Sequence, residues 1–73
     1  MDHKQKLDRE RIGLNLYRLF EKSDYTRECV ADFLGLKSPR VIYDWTSGKK
    51  LPSIENLWNL ALLFNVRMED ILS

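Results

Sequence analysis

Apolar residues along this chain recur at helical spacing, three and four apart, rather than in alternation, which is the pattern of amphipathic helices. Ile12, Leu16, Leu19 and Phe20 stand at i, i+4, i+7 and i+8, on one face of a first helix over residues 8–22, with Leu14 and Tyr17 toward the other side. A polar break at Ser23-Asp24 follows. Thr26 suits the N-cap of a second helix, because its hydroxyl accepts an N–H left unpaired in the first turn, and Glu28 favours the positive end of the helix dipole. Gly35 ends that helix, since glycine enters the left-handed conformation without steric cost. Ser38 and Pro39 open a third helix: the serine caps, and proline at the first helical position gives up no hydrogen bond that the helix would use. This helix is expected to reach Thr46 or Ser47 and to stop at Gly48, after which Pro52 keeps residues 49–52 extended. Ser53 caps a fourth helix over residues 54–64, Asn65 is a left-handed stop, and residues 68–72 form a short last helix. The prediction is an all-α fold, a compact bundle of five short helices.

A chain of 73 residues holds one small domain, and a composition of 44% hydrophobic and 32% charged residues is that of a folded chain rather than a disordered one. Residues 1–7 read as a flexible polar tail and residues 8–73 as the domain. The formal net charge of +1 says little until it is resolved along the chain. Residues 37–52 carry Lys37, Arg40, Lys49 and Lys50 against Asp44 alone, whereas residues 53–73 carry Arg67 against Glu55, Glu69 and Asp70. A basic middle is thus followed by an acidic, apolar end. The single Cys29 cannot form an internal disulfide and reads as a small packed residue, and the single His3 lies in the tail, so no metal cluster is expected. No Gly-rich phosphate loop or Ser/His/Asp set is present, so the chain reads as a non-enzyme with no cofactor and no small-molecule ligand. No apolar run approaches the ~20 residues of a membrane span, and the start MDHKQK lacks the apolar stretch of a signal peptide. A cytoplasmic location is expected.

Two short helices joined by a tight Gly-containing turn, residues 26–34 and 38–47, have the length and punctuation of a helix-turn-helix unit. From Ile12 to Leu72 the chain, with IGLNLYRLFEK, YTRECVADFLGL and SPRVIYDWTSGKKLPSIENLWNLALLFNVRMEDIL, resembles the lambda-repressor-like, XRE-type helix-turn-helix regulators. The clearest matches are Ala31 four residues before Gly35, Ile42 and Trp45 in the third helix, and the run from Gly48-Lys49 to Pro52-Ser53 followed by Glu55, Asn56 and Leu57. The resemblance implies that Ala31 lets the second and third helices approach closely and that Ile42 and Trp45 form the buried face of the third. Arg40, Tyr43, Asp44 and Ser47 then share its opposite face. In the family that helix enters the major groove of double-stranded DNA, while the second helix and the loop after the third meet phosphates.

On that resemblance Arg40, Tyr43, Asp44 and Ser47 are the candidates for reading bases, and Thr26, Arg27, Lys37, Ser38, Lys49 and Lys50 those for phosphate contact. A guanidinium at Arg40 is suited to guanine O6 and N7, though pairing with Asp44 four residues on is the competing reading. Asp44 either accepts from cytosine N4 or neutralises Arg40. Thr26 and Arg27 stand at a helix start, where free N–H groups favour an anion, but simple capping explains Thr26 equally. Two departures from the family pattern stand out. Lys37 lengthens the turn by one residue, and Phe20 and Thr46 occupy positions where many members place an Arg and a Glu that form an internal ion pair. Losing both partners together avoids a stranded buried charge, which costs ~3–5 kcal/mol. Phe20 is expected in the core.

The fourth helix carries more apolar residues than one inward face needs. Ile54, Leu57, Leu60, Ala61 and Phe64 are assigned to that face, which leaves Trp58, Leu62 and Leu63 as a candidate surface for a homodimer. Coverage by Met68, Ile71 and Leu72 of the last helix is the alternative. The expected function is a sequence-specific DNA-binding transcriptional regulator, repressing by operator occupancy. The competing expectation is a helix-turn-helix fold used for protein contact, antitoxin-like or adaptor, through the apolar fourth helix.

Overall fold

Local side-chain and backbone hydrogen bonds mark the helix ends in the computed structural model, which describes residues 6–73. Helix α1 (Arg9–Lys22) starts after Asp8, whose Oδ1 accepts from the backbone N–H groups of Glu10 and Arg11 at 3.1 and 3.2 Å. Helix α2 (Arg27–Leu34) starts after Thr26, whose Oγ1 accepts from the Cys29 N–H at 3.0 Å. It ends at Gly35 with φ 74°, and the Gly35 and Leu36 N–H groups donate back to the carbonyls of Asp32 and Ala31. Helix α3 (Arg40–Thr46) is preceded by Pro39, itself in helical geometry, and by Ser38, whose hydroxyl accepts from the Arg40 N–H at 3.3 Å. The N-cap position thus falls on Pro39, which makes no side-chain cap bond, and the helix starts one residue later than expected, while Ser38 still accepts from its first N–H. Helix α4 (Ile54–Phe64) begins on the Ser53 hydroxyl and stops at Asn65, left-handed at φ 58°. Helix α5 (Met68–Leu72) is started by Asp70, whose carboxylate accepts from the Arg67 N–H at 3.0 Å.

Five helices and, among the described residues, no strand make up the all-α bundle that the periodicity predicts. Each helix contributes to one core: Ile12, Leu16 and Phe20 from α1, Val30 and Ala31 from α2, Ile42 and Trp45 from α3, Leu57, Leu60 and Ala61 from α4, and Ile71 from α5. Helix α1 lies against both α3 and α5. Its approach to α3 depends on Gly13, where a Cβ would stand 2.6 Å from the Trp45 carbonyl oxygen and 2.9 Å from the Gly48 backbone nitrogen. Asn15 Nδ2 donates to the Ile71 carbonyl at 2.9 Å and so fastens α5 to the middle of α1. Phe20 is buried as expected and meets the edge of Phe64 at a centroid separation of 5.2 Å.

Three expectations are corrected. Ile54 is not part of the inward face but is 76% exposed, because α4 turns only its Leu57, Leu60 and Ala61 side into the bundle. Leu63 does not join Trp58 and Leu62 outside; it is half-buried and packs on the core beside Phe64, 100° round the helix from Leu62. Cys29 is exposed rather than packed, since the inward positions of α2 are taken by Val30 and Ala31. Of the expected tail, residues 1–5, including His3, lie outside the described residues, while Lys6 and Leu7 are exposed and non-helical. No helix among the described residues is long and apolar enough to cross a membrane.

Candidate nucleic-acid interface

Ile42 and Trp45, three residues apart, are fully or nearly fully buried, and this orients α3 about its axis. The opposite face is consequently turned outward. Arg40 and Ser47 are exposed, Tyr43 is 52% exposed, and Asp44 is half-buried at the edge of the same face. The four positions chosen from the sequence are thus brought together on one side of α3, although not with equal freedom. The Ser47 hydroxyl donates to the Asp44 carbonyl at 3.2 Å, a bond to its own helix that leaves its lone pairs outward.

Asp44 does not neutralise Arg40. Its Oδ2 lies 3.8 Å from Lys50 Nζ instead, because the chain after α3 folds back: Gly48 is left-handed at φ 81°, and the Lys49 and Lys50 N–H groups both donate to the Asp44 carbonyl. Among the described residues no carboxylate forms a salt bridge with Arg40, so its guanidinium stands free at the start of the outward face. Being mostly exposed on the lysine side, the Asp44–Lys50 pair is worth little to stability, ~0–1 kcal/mol. Its local effect is to halve the charge of the loop and to cover the one acidic group of the face. The loop is also tied to α1, since Arg9 Nη1 donates to the Lys49 carbonyl at 3.3 Å. The Lys49 side chain remains exposed, as does that of Lys37 in the turn before α3.

At the start of α2 the two candidates part company. The Thr26 hydroxyl is engaged as the cap. Arg27 is half-buried, with its Cζ 4.8 Å from the Phe20 ring centroid, 5.0 Å from that of Tyr43 and 5.8 Å from that of Tyr17. Its Nε is buried and has no hydrogen-bond partner among the described residues. Favourable charge–quadrupole contact with three ring faces, ~0.5–2 kcal/mol for a single such contact, offsets the loss of that bond. The sequence signal for this cluster is partial: Tyr17 and Phe20 at i, i+3 are neighbours at the border between the outer side and the core face of α1, but which cation meets them depends on how α2 crosses it.

A second outward feature lies on α4. Ile54, Trp58 and Leu62 stand at i, i+4 and i+8 and are all more than half exposed, forming with Glu55 and Asn59 a shallow apolar depression. Helix α5 does not cover it, because Ile71 is directed into the core between α1 and α4.

An α2–turn–α3 pair, with Ala31 of α2 buried in the core and the outward face of α3 presented between basic flanks, defines the class of helix-turn-helix DNA-binding domains. The chain belongs to the helix-turn-helix family, whose model matches residues 16–71, in agreement with the resemblance read from its residues. Among solved structures it is similar to the SOS-response transcriptional repressor LexA from Eubacterium rectale, with a TM-score of 0.83 and 26% identity over 90% of this chain and 69% of that one. It is also similar in fold to the DNA-binding domain of BldD, with a TM-score of 0.72 and 15% identity over 90% of this chain and 94% of that domain. Comparison with curated protein sequences gives no match.

Proposed function

We propose that this DNA-binding regulator acts without catalysis, in the cytoplasm, as a sequence-specific repressor that occupies its operator with α3 in the major groove. The observation that carries this reading is the division of α3 into a locked face, Ile42 and Trp45, and a free one on which Arg40 and Tyr43 are exposed. Arg40 is the leading reader of a guanine, with Tyr43 and Ser47 beside it; Lys37, Ser38 and Lys49 flank the groove as phosphate contacts. Asp44 and Lys50 contribute less than their charges suggest, being turned toward each other. The similarity to a protein described as a transcriptional repressor supports the sign of the regulation. The test is selection of bound duplexes from a random pool, followed by affinity measurement on the winner. Arg40→Ala is expected to cost ~1–3 kcal/mol there and to relax the preference at one base pair. Equal binding of all duplexes by the native chain would sink the proposal.

The exposed stripe Ile54, Trp58 and Leu62 supports a two-fold homodimer, with two α3 helices addressing half-sites about one DNA turn, ~34 Å, apart. The same stripe favours the second reading, a protein-contact module that binds a different chain through α4. A monomeric protein with no selected DNA sequence would be the result expected of that alternative.

A further inference from the structure

Arg27 joins three helices at a single guanidinium: it rises from the first turn of α2 and lies over Tyr17 and Phe20 of α1 and over Tyr43 of α3. Two features separate this from an ordinary surface arginine. Among the described residues its buried Nε has no hydrogen-bond partner, so the rings rather than an acceptor hold the side chain. One of the rings also belongs to the outward face of α3, where Tyr43 is 52% exposed, with one side against Arg27 and the rest facing outward beside Arg40. The platform under the cation is itself rigid, since Phe20 is 3% exposed and is held edge-on by Phe64. We infer that Arg27 is a positioning residue for sequence readout: it clamps the Tyr43 ring in one orientation, making it a fixed wall of the reading face rather than a mobile side chain. A planar guanidinium suits this role because it contacts several ring faces at once, whereas an ammonium is a compact point charge. The inference rests on the DNA-binding reading above and assigns Arg27 a part in specificity in place of the phosphate contact expected from the sequence.

The clamp can be tested with and without DNA. In the free protein, nuclear Overhauser contacts are expected from the Arg27 side-chain protons to the Tyr43 ring, persisting in Tyr43→Phe, which keeps the ring; their absence overturns the clamp. Arg27→Lys keeps the positive charge, so the salt dependence of binding to an unrelated duplex should be unchanged. The ratio of affinities for the selected and unrelated duplexes should nevertheless fall about fivefold to tenfold, the equivalent of one cation–π contact. Adding Arg27→Lys to Tyr43→Leu should lower the ratio no further, because both changes remove the same fixed ring. A ratio that stays within about twofold of the native value, or losses that multiply in the double variant, overturn the positioning role. A native chain that prefers no duplex overturns the DNA reading instead, and the Overhauser contacts then decide the clamp by themselves.

Discussion

Gly13 sits in the interior of α1, where a glycine costs about 1 kcal/mol of helix stability relative to alanine. The compensation is visible at the crossing with α3: a methyl group would meet the backbone of Trp45 and Gly48 at 2.6 and 2.9 Å, and backbone cannot swing aside as a side-chain tip can. Overpacking of this kind costs ~1–3 kcal/mol, which outweighs the gain in helix propensity. Gly13→Ala is therefore expected to lower the melting temperature by several degrees, as monitored by circular dichroism. An unchanged or raised midpoint would show that α1 and α3 separate freely. Nothing in the apolar pattern marks Gly13, since the periodicity identifies which face is buried but not how closely the backbone behind it approaches. The same holds for Asp44: spacing of four made Arg40 its natural partner, whereas the turn at Gly48 delivers Lys50.

At the scale of elements, α4 shows how a helix divides its apolar residues. Leu57, Leu60 and Ala61 enter the core, while Ile54, Trp58 and Leu62 remain outside and Leu63 bridges the two. The surplus was legible in the sequence; the division was not, because Ile54 and Leu57 are both apolar and only the position of α1 and α5 distinguishes them. If the stripe forms the homodimer interface, Trp58→Glu with Leu62→Glu should yield a monomer by analytical ultracentrifugation with the helical signal intact, since neither side chain supports the core. Affinity for a two-half-site operator should fall steeply while that for one half-site changes little. A dimer that survives both charges must use another surface. The helix ends, by contrast, were readable almost to the residue, because Thr26, Ser53, Gly35 and Asn65 act on N–H and carbonyl groups within four positions of themselves.

Over the whole molecule the net charge of +1 hides a basic segment at residues 37–52 and an acidic one at residues 53–73. Binding through that basic segment predicts a logarithmic affinity that falls linearly with logarithmic salt, at about −0.9 per phosphate neutralised. Lys37→Ala with Lys49→Ala should make the slope shallower by about 1.8, measured by fluorescence anisotropy on an unrelated duplex. A slope that does not move would place the phosphate contacts elsewhere. Lys50→Ala should change it less, since that lysine already faces Asp44.

The amino-acid sequence alone determined the five helices, most of their caps and stops and the all-α class, since periodicity and capping are local and involve residues at most a turn or two apart, while the outward side of α3 came from the resemblance to a known family. The tertiary structure alone decided that Arg27 is enclosed by Tyr17, Phe20 and Tyr43, that Asp44 turns to Lys50, that Gly13 lets α1 meet α3, and that Ile54 joins Trp58 and Leu62 outside. These relations follow from the angles and separations at which the helices cross, and such angles are set jointly by all the side chains in the core rather than by any one segment of the chain.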